Sequence, residues 1–221
     1  MSAVPVIAID GPSASGKGTV AQLVAGELGF HYLNSGALYR LVALGVMNQG
    51  QRTSDEAAAA AFAVQLPIPV FEGDEVIFEG RDVSDDLRSE QVSTAASFVA
   101  AQPRVRQALL ARQRAFRRPP GLVAEGRDMG SVVFPDAGLK VFLTASPEAR
   151  AERRHKQLKE KGIAATLPAL LQDLRERDAR DALRSVAPLK QSPGARLLDT
   201  TSLSAGQAAA LIAGWYRGAN E

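Results

Sequence analysis

The sequence predicts an α/β fold in which a parallel β-sheet is flanked by helices. It begins with a buried apolar strand at 4–9, a glycine-rich turn at 11–18 and a helix whose apolar residues recur at helical spacing from 20 to 28. After this start, strand-like and helix-like segments alternate, which is typical of parallel sheets with crossover helices. The chain has 221 residues, 46% of them hydrophobic, and is therefore long enough for a full core.

A second strand and helix follow the first helix, which Gly29 ends. The apolar stretch 30–33 predicts the strand, and the amphipathic segment 38–47 predicts the helix. Between 66 and 83 apolar residues alternate with prolines, and residues 72–74 have the composition of a hairpin turn. We therefore expect a small β insertion in this part of the chain.

The second half continues the alternation, and its later helices carry much of the charge. The helices are predicted at 91–100, 103–117, 147–161, 167–183 and 205–217, and the strands at 122–124, 140–143 and 196–198. There is no internal repeat, so we expect one domain spanning 1–221.

Composition excludes several classes of function. The chain has no cysteine, which rules out disulfides, thiolate metal sites and a cysteine nucleophile and favours the cytoplasm. The first apolar run contains Pro5 and has no basic flank, so we expect neither a signal peptide nor a membrane span. The net charge is only +2, with both signs interleaved, so nucleic-acid binding gains little support. His31 and His155 have no spacing partners and are interpreted as structural.

The glycine-rich turn matches a phosphate-binding loop. Its residues are Gly11, Pro12, Ser13, Ala14, Ser15, Gly16, Lys17, Gly18 and Thr19. They fit G-x-x-x-x-G-K, with Gly18 where Ser or Thr usually stands. Glycines let backbone N–H groups converge on phosphate oxygens at a helix N-terminus, and Lys17 supplies a cation. We expect ATP here with Mg²⁺, which Thr19 would bind directly or through water.

Arginines in the second half favour a kinase over a hydrolase or a switch protein. No guanine-reading Asn-Lys-x-Asp sequence occurs anywhere in the chain. The arginines are Arg150, Arg153 and Arg154 on one predicted helix, and Arg177, Arg180 and Arg184 on the next. Like charges at helical spacing repel and need either solvent or an anion such as phosphate. Arginines on a mobile lid would stabilise phosphoryl transfer and exclude water, although a solvated helix face remains an alternative.

Four longer segments carry a resemblance to a known family. They are Ile9-Asp10-Gly11-Pro12-Ser13 running into the loop, Asn34-Ser35-Gly36-Ala37-Leu38-Tyr39-Arg40, Glu125-Gly126-Arg127-Asp128-Met129-Gly130, and Arg177-Asp178 before Ala187-Pro188-Leu189. The chain resembles the bacterial cytidylate kinases over nearly its whole length. The resemblance implies a P-loop NTPase-type sheet of five parallel strands, a short helical lid and a nucleoside monophosphate (NMP) region containing a small antiparallel sheet. It also implies transfer of the γ-phosphoryl group of ATP to CMP or dCMP.

The resemblance divides the chain into three regions. They are a core of 1–34, 120–147 and 185–221, an NMP-binding region of about 35–119 with the insertion at about 66–83, and a lid of about 148–184.

The resemblance also implies roles for individual residues. The acceptor phosphate would be bound by Arg40 and Arg127, with Ser35 nearby, and the cytosine by Ser97, Arg106 and Asp128. The ribose would be bound by Arg177 and Asp181, and Arg184 would reach the phosphates. In the lid, Arg153 and Arg154 would bind ATP. The catalytic set would be Lys17, Arg127, Arg177 and Arg184. A carboxylate with a nearby donor suits cytosine, which has an N4 amino donor beside two acceptors.

Each of these assignments has a plainer alternative. Ser35 has the character of a helix cap, and Asp181 is spaced to pair with Arg177 or Arg184. Arg106 lies in the basic segment 104–118, which is equally suited to solvent or RNA. The alternatives for the whole chain are another P-loop small-molecule kinase and an ATP-gated RNA-binding module.

Two residues depart from the family pattern, which has Asp at both positions. They are Asn34, which loses a negative charge near the phosphate sites, and Glu125, which keeps the charge one methylene further out. For partners we expect ATP and CMP or dCMP, with no nucleic acid and no membrane, and we expect a monomer.

Overall fold

The structure is a computed structural model that describes residues 4–73, 75–160, 162–184 and 186–219. Its strands are β1 (Val6–Asp10), β2 (His31–Asn34), β3 (Val70–Glu72), β4 (Glu75–Phe78), β5 (Arg81–Asp82), β6 (Leu122–Gly126), β7 (Leu139–Thr144) and β8 (Arg196–Asp199). Its α-helices are α1 (Lys17–Leu28), α2 (Ser35–Asn48), α3 (Glu56–Gln65), α4 (Ser84–Arg88), α5 (Glu90–Val99), α6 (Pro103–Arg114), α7 (Pro147–Glu160), α8 (Leu167–Leu183) and α9 (Ala205–Gly218).

The main sheet has five parallel strands in the order β2-β6-β1-β7-β8. This confirms the predicted fold class. The central strand β1 lies between β6 and β7, although the chain passes from β1 to β2 first. In open parallel sheets, ligands bind beyond the carboxyl ends of the strands where the strand order reverses. The loop that follows β1 occupies that position.

Both faces of the sheet are covered, and β1 shows how. Val6 and Ala8 point into one apolar core, which includes residues of α2, α5 and α6, while Ile7 and Ile9 point into a second core with α1 and α9. All four side chains are fully buried. Burying a Val or Ile side chain stabilises a fold by roughly 1.5–3 kcal/mol, so the sheet is a firm support for the loop at its edge.

The predicted β insertion is confirmed as an antiparallel sheet of β3, β4 and β5. Phe71 attaches it to the body of the protein, since its ring centroid lies 5.7 Å from those of both Tyr32 and Phe116. The side-chain amide of Gln22 on α1 also donates to the carbonyl of Gly73, at 2.6 Å. Of the predicted turn at 72–74, Asp74 lies outside the described residues.

Helix α3 was not anticipated from the sequence. Asp55 caps it by accepting hydrogen bonds from the N–H groups of Ala57 and Ala58. Its run of alanines gives no contrast between a polar and an apolar face, so periodicity gives no signal. The helix packs close to α2 at Gly45, where a Cβ would stand 1.9 Å from the ring of Phe62.

Helices α7 and α8 form the region predicted as a lid, and they share a small apolar cluster. Its buried members are Ala151, Leu158, Leu170 and Leu174. The bounds of α8 agree with the prediction, and α7 ends at Glu160, with Lys161 outside the described residues. No helix in the part of the chain that the structure describes has the length and apolar character to cross a bilayer.

Candidate active site

The loop after β1 has the geometry of an anion site. Gly16, with a φ of +89°, precedes α1 and caps it without a side-chain acceptor, so the first N–H groups of the helix are available to a ligand. A Cβ at Gly11 would stand 2.0 Å from the carbonyl oxygen of Leu143, so only glycine fits beside β7. The loop therefore combines a helix N-terminus with close backbone packing, as phosphate binding requires.

Lys17, the first residue of α1, is buried at the bottom of this site. Its Nζ donates to the carbonyl of Pro12 at 3.2 Å and lies 3.7 Å from Oε2 of Glu125. Burial, together with the charge of the nearby Arg127, lowers the pKa of Lys17 to about 8, while Glu125 opposes the shift. A buried ammonium in this condition gains from a phosphate group beside it. Glu125, one of the two departures from the family pattern, is thus an ion-pair partner of the loop lysine.

A cleft of about 990 Å³ opens beside the loop, and basic side chains from several helices and from the turn after β6 line it. They include Lys17, Arg40, Arg127, Arg154 and Arg177. Burial lowers the pKa of Arg40 to about 10, and the neighbouring Arg177 and Arg154 add to the effect by repulsion. Mutual repulsion among half-buried cations identifies a site for an anion, because an anion removes the repulsion.

The start of α2 differs in detail from the predicted arrangement. Asn34, not Ser35, caps the helix, and its Oδ1 accepts from the N–H of Ala37 at 3.1 Å. Ser35 instead donates from Oγ to the carbonyl of Glu125, at 2.8 Å, and is buried. The cap alternative for Ser35 is therefore wrong, and a contact between Ser35 and phosphate remains a prediction. Asn at position 34 is suited to a cap, where Asn and Asp perform equally.

Arg127 connects the loop to α8. Its Nε donates to Oδ2 of Asp181 at 2.7 Å, and its Nη2 donates to Oγ of Ser13 at 2.8 Å. Burial lowers the pKa of Arg127, but Asp181 and Glu125 outweigh burial and raise the pKa above its usual range. Asp181 was expected to pair with Arg177 or Arg184 if it had no ligand role. It does pair with Arg184, whose Nη1 lies 3.9 Å from Oδ1 of Asp181, but its closest partner is Arg127.

Beyond Asp181, a buried ion pair forms the part of the site predicted to contact cytosine. Arg106 and Asp128 bind each other directly and are both almost fully buried. Arg106 also lies over the ring of Tyr39, 5.7 Å from its centroid. Arg184 is adjacent: burial lowers its pKa, and so does the charge of Arg106. Arg184 therefore senses both this pair and Asp181, whose Oδ1 lies 3.9 Å from its Nη1.

The arginines of α8 do not share one environment, although they share a helical face in the sequence. Arg177 reaches the cleft and donates to Oγ of Ser93 at 3.1 Å. Arg180 donates to Oγ of Ser97 at 3.3 Å and lies over the ring of Phe98. Ser97, predicted to contact the base, is thus a partner of Arg180.

The two predicted ATP-binding arginines on α7 also have different surroundings. Arg153 donates from Nη1 to the carbonyl of Ser15 at 3.0 Å, and it also contacts the hydroxyl and carbonyl of Thr200. Arg154 lines the cleft, with its Nη2 3.3 Å from Oε2 of Glu90. The two residues therefore approach the predicted ATP site from different sides, Arg153 at the loop backbone and Arg154 in the open cleft.

The comparisons with known proteins agree with this geometry. A family model described as cytidylate kinase matches residues 7–217. The chain belongs to the cytidylate kinase family. The cytidylate kinase of Paraburkholderia phymatum is 58% identical over 213 residues, covering 96% of this chain and 93% of that protein. That of Bordetella bronchiseptica is 57% identical over 215 residues, covering 97% and 96%, and that of Chromobacterium violaceum is 58% identical over 213 residues, covering 96% of both chains.

One further residue, Asp10, supports the site in this member of the cytidylate kinase family. Asp10, at the end of β1, accepts from the N–H of Met129 at 2.7 Å and from that of Gly130 at 2.8 Å. Burial raises its pKa to about 6 although these hydrogen bonds oppose the shift. Asp10 thus fixes the turn that carries Arg127 and Asp128. A charged residue continuing a buried strand is a sequence signal for such a role.

The residues present fit Mg²⁺ that arrives on the nucleotide. Among the described residues, no group of three or more His, Cys, Asp or Glu side chains is placed to hold a metal. Both oxygens of Asp10 accept from backbone N–H groups, and Glu125 pairs with Lys17. The exposed Thr19 does line the cleft. This suits a metal that keeps its waters and is bound by phosphates and one or two protein oxygens.

The basic segment 104–118 has a structural use in this cytidylate kinase family member. Arg112 donates to three carbonyls at the end of α3, and Arg114 donates to those of Val132 and Val133. Arg117 donates to the carbonyl of Val4 and pairs with Asp136. These guanidinium groups join α6 to its neighbours, so they give no support to the RNA-binding alternative.

Proposed function

We propose that this chain transfers the γ-phosphoryl group of ATP to CMP, and to dCMP, forming ADP and the corresponding diphosphate. The observation that carries the proposal is the convergence of Lys17, Arg40, Arg127 and Arg177 on one cleft beside a phosphate-binding loop. Asp128 directly follows the cleft residue Arg127 and forms a buried pair with Arg106. The carboxylate and the guanidinium of this pair suit a cytosine.

On the donor side, the loop amides and Lys17 would hold the β- and γ-phosphates. On the acceptor side, Arg40 and Arg127 would hold the phosphate of CMP, with Arg177 between the two. The transition state of phosphoryl transfer spreads charge over its equatorial oxygens, so fixed cations stabilise it more than they stabilise the separate substrates. The acceptor phosphate is already an anion near neutral pH and needs no general base. Mg²⁺ bound by the phosphates and Thr19 would neutralise part of the same charge.

Choice of the base would depend on Asp128 and Arg106. The N4 amino group of cytosine donates to a carboxylate, while N3 and O2 accept from a guanidinium. Uracil presents an oxygen in place of the amino group, so it offers the buried carboxylate of Asp128 no donor and places an oxygen against it. We therefore expect UMP to be a weaker acceptor. Ser97 would assist at the base, and Arg177 with Asp181 would meet the ribose.

The test is a coupled assay of ADP formation with Mg²⁺, ATP and a panel of CMP, dCMP, UMP, AMP and GMP, with a control lacking acceptor. The proposal predicts rapid ADP formation with CMP and dCMP, slower formation with UMP, and almost none without an acceptor. ADP formation with only a purine nucleotide would discard the cytosine assignment while keeping the kinase. We further propose that the enzyme acts as a monomer in the cytoplasm.

A further inference from the structure

Arg150 of α7 stands apart from the other arginines of the lid. Its position in the sequence groups it with Arg153 and Arg154, which are predicted to face phosphate. In the structure its side chain is only 6% exposed, and it does not line the cleft. Its Nε donates to the carbonyl of Ala145 and its Nη1 to that of Ser13, both at 3.1 Å. The same Nη1 lies 2.7 Å from Oδ2 of Asp178 on α8. Arg150 therefore contacts the loop and α8 but not the space for substrate.

These contacts close a network around a single residue of the loop. Arg150 binds the carbonyl oxygen of Ser13, and Arg127 binds the hydroxyl of the same residue. Arg150 pairs with Asp178 and Arg127 pairs with Asp181, one turn further along α8. We call these five residues the Ser13 network.

The Ser13 network fixes where α8 stands relative to the loop. Apart from it, α8 is held by a small apolar cluster with α7 and by contacts with α5. In these contacts Arg177 meets Ser93 and Glu90, and Arg180 meets Ser97 and Phe98. Helix α8 carries Arg177 and Asp181, and Arg184 directly follows its last residue. A shift of α8 against the loop would move all three of these side chains relative to the phosphates.

We propose that Arg150 is a positioning residue for phosphoryl transfer: it holds α8 in register with the loop through Ser13 and Asp178. The proposal rests on the proposed function for its kinetic part only. Displacing catalytic groups by about 1 Å costs about 100-fold in rate, so loss of Arg150 is expected to lower kcat to a similar degree. Substrate is not touched by Arg150, so the KM for CMP is expected to change much less.

A binding experiment tests the coupling without relying on turnover. Amide hydrogen exchange in residues 167–183 is measured with and without saturating non-hydrolysable ATP analogue. In the unmodified protein, ligand at the loop is expected to slow exchange in α8. In Arg150→Met this slowing is expected to disappear, while the control Arg217→Met, which removes an exposed ion pair with Glu27, keeps it. Persistence of the slowing in Arg150→Met with bound ligand would overturn the proposal.

Kinetics of the same variants separate positioning from general stability. Arg150→Lys keeps a charged donor and is expected to recover part of the kcat that Arg150→Met loses. Asp178→Asn removes the charge of Asp178 with little change in side-chain volume, and it is also expected to lower kcat. If Arg150 and Asp178 act as one unit, the double variant is no slower than Arg150→Met alone. The proposal would be contradicted if the losses of kcat in Arg150→Met and Asp178→Asn add up in the double variant. It would also be contradicted if the kcat of both single variants lies within twofold of that of the Arg217→Met control. Absence of CMP-dependent turnover in the unmodified protein would instead refute the proposed function, and the exchange result would still decide on Arg150.

Discussion

The buried ammonium of Lys17 makes a quantitative prediction for the affinity of ATP between pH 7 and pH 9. Burial lowers the pKa of Lys17 to about 8 in the free protein, so the group loses its charge within this range. If ATP binds the charged form, the apparent dissociation constant scales as one plus the ratio of neutral to charged lysine. With a pKa of about 8, this factor rises from about 1.1 at pH 7 to about 11 at pH 9. The affinity for ATP is therefore expected to fall about tenfold.

The same reasoning predicts proton uptake on binding. Phosphate oxygens beside Lys17 favour its charged form and raise its pKa in the complex. Binding should then take up about 0.9 proton at pH 9 and about 0.1 proton at pH 7. Titration calorimetry in two buffers of different ionisation enthalpy measures the affinity and the proton uptake. The reading at pH 9 decides, because it lies about three units above the pKa of the terminal phosphate, about 6, whereas at pH 7 the phosphate itself is still about one-tenth protonated.

Lys17→Arg is the matched control, because a guanidinium stays charged throughout this range. It is expected to bind ATP more weakly at pH 7 but to lose the pH dependence and the proton uptake. An affinity that is constant from pH 7 to pH 9 in the unmodified protein, with no proton uptake at pH 9, would refute the argument about Lys17.

Three further changes test other parts of the structure. Asp10→Asn leaves two buried N–H groups with one acceptor. It is expected to lower the free energy of unfolding by roughly 1–3 kcal/mol in urea titrations at pH 4, where Asp10 in the folded protein is protonated and its removal takes away no buried charge. Burial raises the pKa of Asp10 to about 6 from 3.8, so the protonated form favours folding. The contribution of Asp10 to stability is therefore present below about pH 4 and lost as the pH rises through about 6. Asp10→Asn should lack this fall in the free energy of unfolding. An identical pH dependence of stability in both proteins would contradict the reasoning about Asp10. Gly45→Ala places a methyl group against Phe62 and is expected to cost about 1–3 kcal/mol, with partial recovery by an added Phe62→Leu; an unchanged melting temperature would show that α2 and α3 separate easily. Asp128→Asn provides an amide that can donate to uracil, so the preference for CMP over UMP in kcat/KM should fall by at least tenfold, whereas an unchanged preference would place the base elsewhere.

The fold could be predicted largely because its elements have strong periodic signals. The bounds of α8 and the position of the β insertion followed from apolar spacing and turn residues alone. Helix α3 could not be found in this way, because alanine is both a good helix former and too small to distinguish a buried from an exposed face.

The candidate site also has one part that the sequence predicts and another that it does not. The phosphate-binding loop is contiguous in sequence, so its motif predicts its geometry. The different partners of Arg177 and Arg180, Ser93 and Ser97, were not predictable. Helical spacing gives the direction of each arginine on α8 but not the residues that it meets on a neighbouring helix. The place of Asp10 at the end of a buried strand signals a structural role. Its partners are backbone N–H groups 119 and 120 positions later, and no side-chain pattern identifies them. Arg150 is similar, since a buried and an exposed arginine look the same in a basic helix.

The central claim is that the cationic cleft moves a phosphoryl group from ATP to CMP and keeps water out. Phosphorus NMR of a mixture of ATP, CMP, Mg²⁺ and the protein follows every phosphate species at once. The account predicts CDP and ADP in equal amounts with almost no inorganic phosphate, and loss of both products in Lys17→Ala. Inorganic phosphate in place of CDP, or unchanged ATP and CMP, would contradict it.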